Sequence, residues 1–183
     1  ILKNKLVTNK ITDIYESIEK PLVEVIVDME NSGIKINKSK LQMLSISFKN
    51  QMELLQEKVF SIANKEFNIN STKQLSETLF NDLNLPFGKK NKSGGYSTNS
   101  EILENLASEG YQIAKLVLEW RELTKLKSTY TDSLINSISN KTNRIHSTFQ
   151  MTGAQTGRLS STDPNLQNIP IKTSNGKEIR KAF

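Results

Sequence analysis

Apolar side chains recur every three or four positions along most of the chain, so helices dominate the expected structure. Ile14, Ile18, Leu22, Val25, Ile26 and Met29 place one helix over 11–32, which Pro21 is expected to bend or restart. Gly33 stands where that helix would stop. Ile34-Lys35-Ile36 then alternates as a short strand, and Asn37 suits the N-cap of the next helix. The longest stripe is Leu41, Leu44, Phe48, Met52, Leu55, Val59 and Ile62, with Lys40, Lys49, Glu53, Glu57 and Lys58 off it. About 25 residues at 1.5 Å each make a rod of roughly 38 Å. Such a helix needs a partner of similar length, and 111–138 supplies it through Ile113, Leu116, Trp120, Leu123, Tyr130, Leu134 and Ile138.

The two rods are expected to lie antiparallel as an elongated helical projection, with two smaller helices between them at the far end. One spans 72–83, with Ser71 and Gln74 as a capping box; the other spans 99–108, with Thr98 and Glu101 as a second. Between them, Gly88-Lys89-Lys90-Asn91-Lys92-Ser93-Gly94-Gly95 has the composition of a basic exposed loop. The period changes after Ser139. Asn140-Lys141-Thr142-Asn143 is turn chemistry, with Asn143 suited to a left-handed conformation. Ile145, Ser147, Phe149 and Met151 alternate with polar residues as a half-buried strand, and 152–175 has no period. Ile179 to Phe183 reads as the start of another strand. The fold class is therefore mainly α with a small β part.

Composition narrows the function. Hydrophobic residues make up 36% of the 183, which allows only a thin core between helices with wide wet faces. The absence of cysteine excludes disulfides, thiolate metal sites and cysteine nucleophiles, and the lone His146 excludes histidine-based triads and multi-histidine metal sites. His146, on an alternating strand, suits a structural or surface role. No apolar run approaches the ~20 residues of a membrane span. Opening on Ile1 with no signal-peptide pattern, the sequence is expected to be an internal segment of a longer intracellular protein.

The net charge of +6 is confined to one end. Residues 1–114 hold 14 Lys/Arg against 14 Asp/Glu, whereas 115–183 hold 11 against 5. That surplus fits a polyanion-facing surface, and equally a solvated helix face with a basic tail.

Three clusters carry candidate chemistry. Arg121, Lys125, Ser128 and Thr129 are spaced to share one helix face, where cations and hydroxyls in a row suit consecutive phosphates. The same face can also be merely solvated, with Glu122 offsetting part of its charge. Asn68, Asn70 and Ser71 precede a helix start, whose free N–H groups attract anions; simple capping explains them as well. Third, Arg158, Gln167 and Asn168 sit in a long loop anchored by Leu159, Leu166, Ile169 and Ile171. Every base pair offers purine N3 and pyrimidine O2 in the minor groove, so such donors can test pair shape whatever the sequence. Gly153 to Arg158 is one residue short of a P-loop and lacks its lysine, which rejects that reading. In the basic half, Glu119, Glu122, Asp132, Asp163 and Glu178 show no spacing that suggests a metal or general-acid pair.

The run Thr156 to Pro170, TGRLSSTDPNLQNIP, closely resembles the signature of family A DNA polymerases. The resemblance extends over nearly the whole chain. Ile14 to Leu22 with Met29 to Gly33 is similar to the family's entry into its polymerase domain. Phe67-Asn68, Ser71 to Leu75 and Arg121 to Tyr130 are similar to its thumb, and Ile179 to Phe183 to the strand entering its palm. Departures are Gln155 before Thr-Gly-Arg, Asn143 for a common glycine, no proline near Lys141, and Tyr96 for a small residue.

The resemblance implies a thumb that grips primer–template duplex. Asn68, Asn70, Ser71, Arg121, Lys125, Ser128 and Thr129 would then contact the sugar-phosphate backbone, with Lys92 along the duplex. Arg158 would reach the minor groove at the primer terminus, supported by Asn165, Gln167 and Asn168. Residues 1–36 would be the connection from a preceding exonuclease-like domain, 37–139 the thumb, and 140–183 the start of the palm. The resemblance also implies a DNA-directed DNA polymerase, monomeric and in the bacterial cytoplasm at the nucleoid, serving replication or repair. Its palm aspartates would hold Mg²⁺ and its fingers would take deoxynucleotides. This segment matches neither, so no catalytic or metal-binding residue and no cofactor is expected within it. Two other classes stay open: a non-enzymatic duplex-DNA-binding module that reuses a thumb, and a helical module whose long stripe binds another protein.

Overall fold

The computed structural model describes residues 2–86 and 96–183, and it is mainly helical with two small antiparallel sheets. Helices α1 (Leu2–Thr8), α2 (Thr12–Ile14) and α3 (Lys20–Ser32) come first, then strand β1 (Ile34–Lys35) and the long α4 (Lys38–Ala63). Next are α5 (Thr72–Ser76), α6 (Ser100–Ser108), α7 (Gln112–Lys125) and α8 (Ser133–Asn136). Strands β2 (Arg144–Ile145), β3 (Thr148–Gln150) and β4 (Ser160–Thr162) lead to α9 (Ser174–Arg180). The chain forms two compact units, one of residues 43–128 and one of 1–42 with 129–183.

The 43–128 unit is helical. Val59 and Ala63 share one core with Leu75, Leu79, Leu103, Leu106, Ile113, Val117 and Trp120. The α4 stripe explains this packing, since Val59 is fully buried while Glu57 and Lys58 beside it are exposed. Thr124 Oγ1 approaches Met52 Sδ at 3.9 Å. The capping signals are only half as the sequence predicts. Ser71 accepts the Gln74 N–H, but Gln74 Oε1 takes the N–H of Asn68 at 2.7 Å, because the Ser71 N–H already donates to Asn68 O. Helix α6 is capped by Asn99, whose Oδ1 accepts the Ile102 N–H at 3.0 Å, and not by Thr98. Thr98 is instead 5% exposed and engaged by Arg121.

Wide π turns interrupt the helices at Tyr15–Glu19, Glu77–Asp82 and Leu126–Asp132. The first immediately precedes Pro21, which lies in the first turn of α3. Proline has no N–H to donate and its ring crowds the preceding turn, so a widened turn admits it without a break. The third keeps Leu126, Tyr130 and Leu134 buried.

In the other unit, α3 ends at Gly33, whose φ of 59° lies in the left-handed region. A Cβ there would sit 2.7 Å from Ile145 O and 2.8 Å from the His146 ring, so glycine lets α3 close on β2. β1 pairs with β2, Ile34 opposite Ile145, and Arg144 donates to Gly33 O at 3.1 Å. Asn37 caps α4 through the Lys40 N–H at 3.0 Å, and Asn143 takes the expected left-handed conformation with φ of 55°. His146 is structural: its Nδ1 meets Glu30 O at 2.7 Å and its Nε2 meets Thr142 Oγ1 at 2.7 Å.

Burial alternates along 145–151 as expected, yet two strands replace the single predicted one. β2 pairs with β1, whereas β3 pairs with β4 from the aperiodic stretch, Phe149 opposite Ser161. The strand expected at 179–183 is a correction. Residues 174–180 form α9, capped by Thr173 Oγ1 on the Gly176 N–H at 3.2 Å. Gly176 lets α9 close on Pro170, where a Cβ would come within 2.7 Å. The apolar stripe of 11–32 also departs from expectation: Ile26 is buried, but Ile14, Ile18, Val25 and Met29 are exposed.

Candidate nucleic-acid interface

In the 43–128 unit the candidate residues form two groups. Asn68, Asn70 and Ser71 surround the turn before α5. Asn68 Oδ1 accepts the Asn70 N–H at 2.9 Å, and Asn68 O accepts that of Ser71 at 2.9 Å. The carbonyl of Asn68 and the hydroxyl of Ser71 are thus spent on the turn, while the side chains of Asn68 and Asn70 are exposed.

Arg121 and Lys125 lie one turn apart on α7, with Ser128 in the following π turn. They are not equivalent. Arg121 is half-buried, donating to Thr98 O at 2.5 Å and to Thr98 Oγ1 at 3.3 Å. Burial pulls its pKa below the ordinary value, although a guanidinium stays charged. Lys125 is exposed. Ser128 is exposed too, with its hydroxyl donated back to Thr124 O at 2.8 Å. Lys92 lies outside the described residues.

The remaining candidates lie in the other unit. Thr129, Ser133 and Ser137, each four residues apart, line an open cleft of about 450 Å³ with Asp163, Pro164 and Asn165. The adjacent Tyr130 hydroxyl donates to Asn168 O at 2.6 Å, tying the helix to the loop. Asn165 Oδ1 accepts the N–H groups of Gln167 at 2.9 Å and Asn168 at 3.2 Å, a compact Asx turn that holds all three together. Gln167 Nε2 donates to Leu159 O at 2.8 Å, pinning the base of the segment that carries Arg158. Arg158 itself is exposed, next to Gly157 at φ of 74°.

An exposed guanidinium, an exposed ammonium and a cleft lined by hydroxyls and an amide can engage phosphate, sugar and base edges. Sequence reasoning missed Ser133, Ser137, Asp163, Tyr130 and Thr98. The spacing of Ser133 and Ser137 from Thr129 was a usable signal; nothing local marked the Thr98 acceptor. Among the described residues no three His, Asp or Glu side chains gather as a metal site. Nor is any described helix long and apolar enough to cross a membrane.

Comparison with known proteins gives the family. Residues 38–183 match the family model described as DNA polymerase family A. DNA polymerase I of Rhizobium leguminosarum is 40% identical over 183 residues, which is 100% of this chain and 18% of that protein. DNA polymerase I of Treponema pallidum is 46% identical over 182 residues, with shares of 100% and 18%. The thermostable DNA polymerase I of Thermus thermophilus is 46% identical over 171 residues, with shares of 93% and 20%. Among solved structures, the POL domain of Pol1 from M. smegmatis, in complex with DNA primer-template and dNTP, has a TM-score of 0.89. It is 38% identical, and the match covers 100% of this chain and 32% of that one. The chain therefore spans about a fifth of the length of these curated relatives. With a family model matched over 38–183 and relatives at 40% identity and above, the chain belongs to DNA polymerase family A.

Proposed function

We propose that this chain is the duplex-gripping part of a DNA-directed DNA polymerase that extends a primer 3′ end in replication or repair, in the bacterial cytoplasm at the nucleoid. The observation that carries this reading is the cleft in which Thr129 and Asn165 meet. The two belong to motifs far apart in sequence, and each brings its own donor chemistry. Residues 37–139 act as the thumb, 140–183 as the start of the palm, and 1–36 as the connection into them. The solved relative's complex with DNA primer-template and dNTP supports the same partner.

In this reading Lys125, Ser128, Asn68, Asn70, Ser71 and Lys92 hold phosphates, and Arg121 adds the guanidinium N–H groups that Thr98 leaves over. Arg158, Asn165, Gln167 and Asn168 address the minor groove and sugars near the primer terminus, and Thr129 stands across the cleft from Asn165. The Mg²⁺ used by the family does not fit the described residues, since no three carboxylates converge here. In this reading nucleotidyl transfer and deoxynucleotide binding belong to other parts of the parent enzyme, and the segment serves it as a monomer by holding duplex. Titration of labelled primer–template duplex across salt tests this. Four to six phosphate contacts give a log–log slope of roughly −4 to −5, and a flat profile overturns the reading.

A further inference from the structure

Ser147 lies between β2 and β3, at an inward position of the burial alternation over 145–151 where an apolar residue is the rule, and is only 4% exposed. Its hydroxyl lies 2.7 Å from Ser161 Oγ, 2.8 Å from Pro164 O and 3.0 Å from Thr162 O. Ser161, 1% exposed, has its Oγ 3.2 Å from Pro164 O and accepts the Leu166 N–H at 3.0 Å.

Two hydroxyls carry two protons, and one arrangement uses both in a single chain. The Leu166 N–H donates to Ser161 Oγ, Ser161 donates to Ser147 Oγ, and Ser147 donates to Pro164 O. Successive hydrogen bonds of this kind polarise and strengthen one another in a dry site. The chain bridges the turn from inside: it starts at residue 166 and ends at residue 164, with Asn165 between.

The pair supports the fold as other buried hydrogen bonds do, since apolar replacements would strip the Leu166 N–H and the Pro164 carbonyl of these partners. What the pair adds is placement. It fixes the backbone on either side of Asn165, a residue that lines the cleft with Thr129 and whose Oδ1 gathers the N–H groups of Gln167 and Asn168.

We infer that Ser147 is a positioning residue for duplex binding, acting through Ser161 to hold the Asp163–Asn168 turn in its DNA-facing form. The inference rests on the proposed duplex-gripping function. Ser147 touches no DNA in this scheme, so its effect on affinity passes through Asn165.

The test is a double-mutant cycle on the full chain, read by fluorescence anisotropy with a labelled primer–template duplex. Far-ultraviolet circular dichroism checks that each variant is folded at the assay temperature. Ser147→Ala is expected to weaken binding about tenfold, the loss typical of an unmade buried hydrogen bond. Combined with Asn165→Ala it should weaken binding no further than Asn165→Ala alone, whereas with Lys125→Ala the two effects should multiply. Ser147→Thr, which keeps the hydroxyl, should bind as the parent chain does. A purely structural serine lowers the melting temperature without that coupling. Where Ser147→Ala does not fold, Ser161→Ala in the same cycle decides. If Asn165→Ala weakens binding but Ser147→Ala does not, or if the two multiply, this inference fails and the duplex-gripping reading stands. If Arg158→Ala and Asn165→Ala both leave affinity unchanged, that reading fails and this inference with it.

Discussion

Arg121 donates to the backbone carbonyl of Thr98 at 2.5 Å and to its side-chain hydroxyl at 3.3 Å, joining α7 to the residue before the α6 cap. Thr98 is 5% exposed and lies 23 residues before its partner, so the pair closes a long segment of the helical unit. Arg121 therefore serves the fold as well as any ligand.

Arg121→Ala is expected to destabilise the chain by about 1–3 kcal/mol, because it strips the donors from a buried carbonyl and hydroxyl. Lys125→Ala, one turn further along and exposed, should change stability by less than about 0.5 kcal/mol. Thermal unfolding of the two variants checks this contrast. Equal losses would mean that Thr98 does not hold Arg121 in solution.

Helices with an uninterrupted stripe were legible because burial alone decides them. Leu41, Phe48 and Val59 are fully buried as their spacing requires, and Gly33 and Asn143 hold the backbone conformations their chemistry invites. Features decided by distant partners were not legible. Thr98 reads as a cap until Arg121 takes its hydroxyl, and Asn99 then caps α6 in its place. Helix α9 depends on the Thr173 cap and on Gly176 passing Pro170, neither of which apolar spacing reports. At the site, residue types revealed which donors exist, but their uses are tertiary. Gln167 spends an N–H on Leu159 O, and Asn165 spends its carbonyl on the turn.

Glu178 links α9 to α4. It bonds Lys181 on one side and lies 3.4 Å from Lys40 Nζ on the other. The bond to Lys181 is the main cause holding its carboxyl below the ordinary value of 4.5, with Lys40 adding to it. A depressed carboxylate pKa contributes stability above the unfolded value, and that contribution is lost as pH falls through the folded one. Glu178→Gln should therefore lower the melting temperature slightly at neutral pH and leave it unchanged well below pH 4.5. The group is exposed, so salt should shrink the difference. A loss that persists in acid would assign Glu178 a packing role instead.

Lys125 and Asn165 separate the two kinds of grip that the proposed function combines. Lys125 presents an exposed ammonium, and a phosphate contact made by it releases counterions when duplex binds. Lys125→Ala should weaken binding alike on every duplex sequence and flatten the log–log salt slope by about one unit. Asn165 is uncharged and lines the cleft with Thr129. Asn165→Ala should therefore lower affinity at every salt concentration while leaving the slope as it was. The discriminating measurement is anisotropy titration of both variants at four or more salt concentrations against one primer–template duplex. If both variants shift the slope equally, or neither does, charge and shape are not divided between the helix face and the cleft.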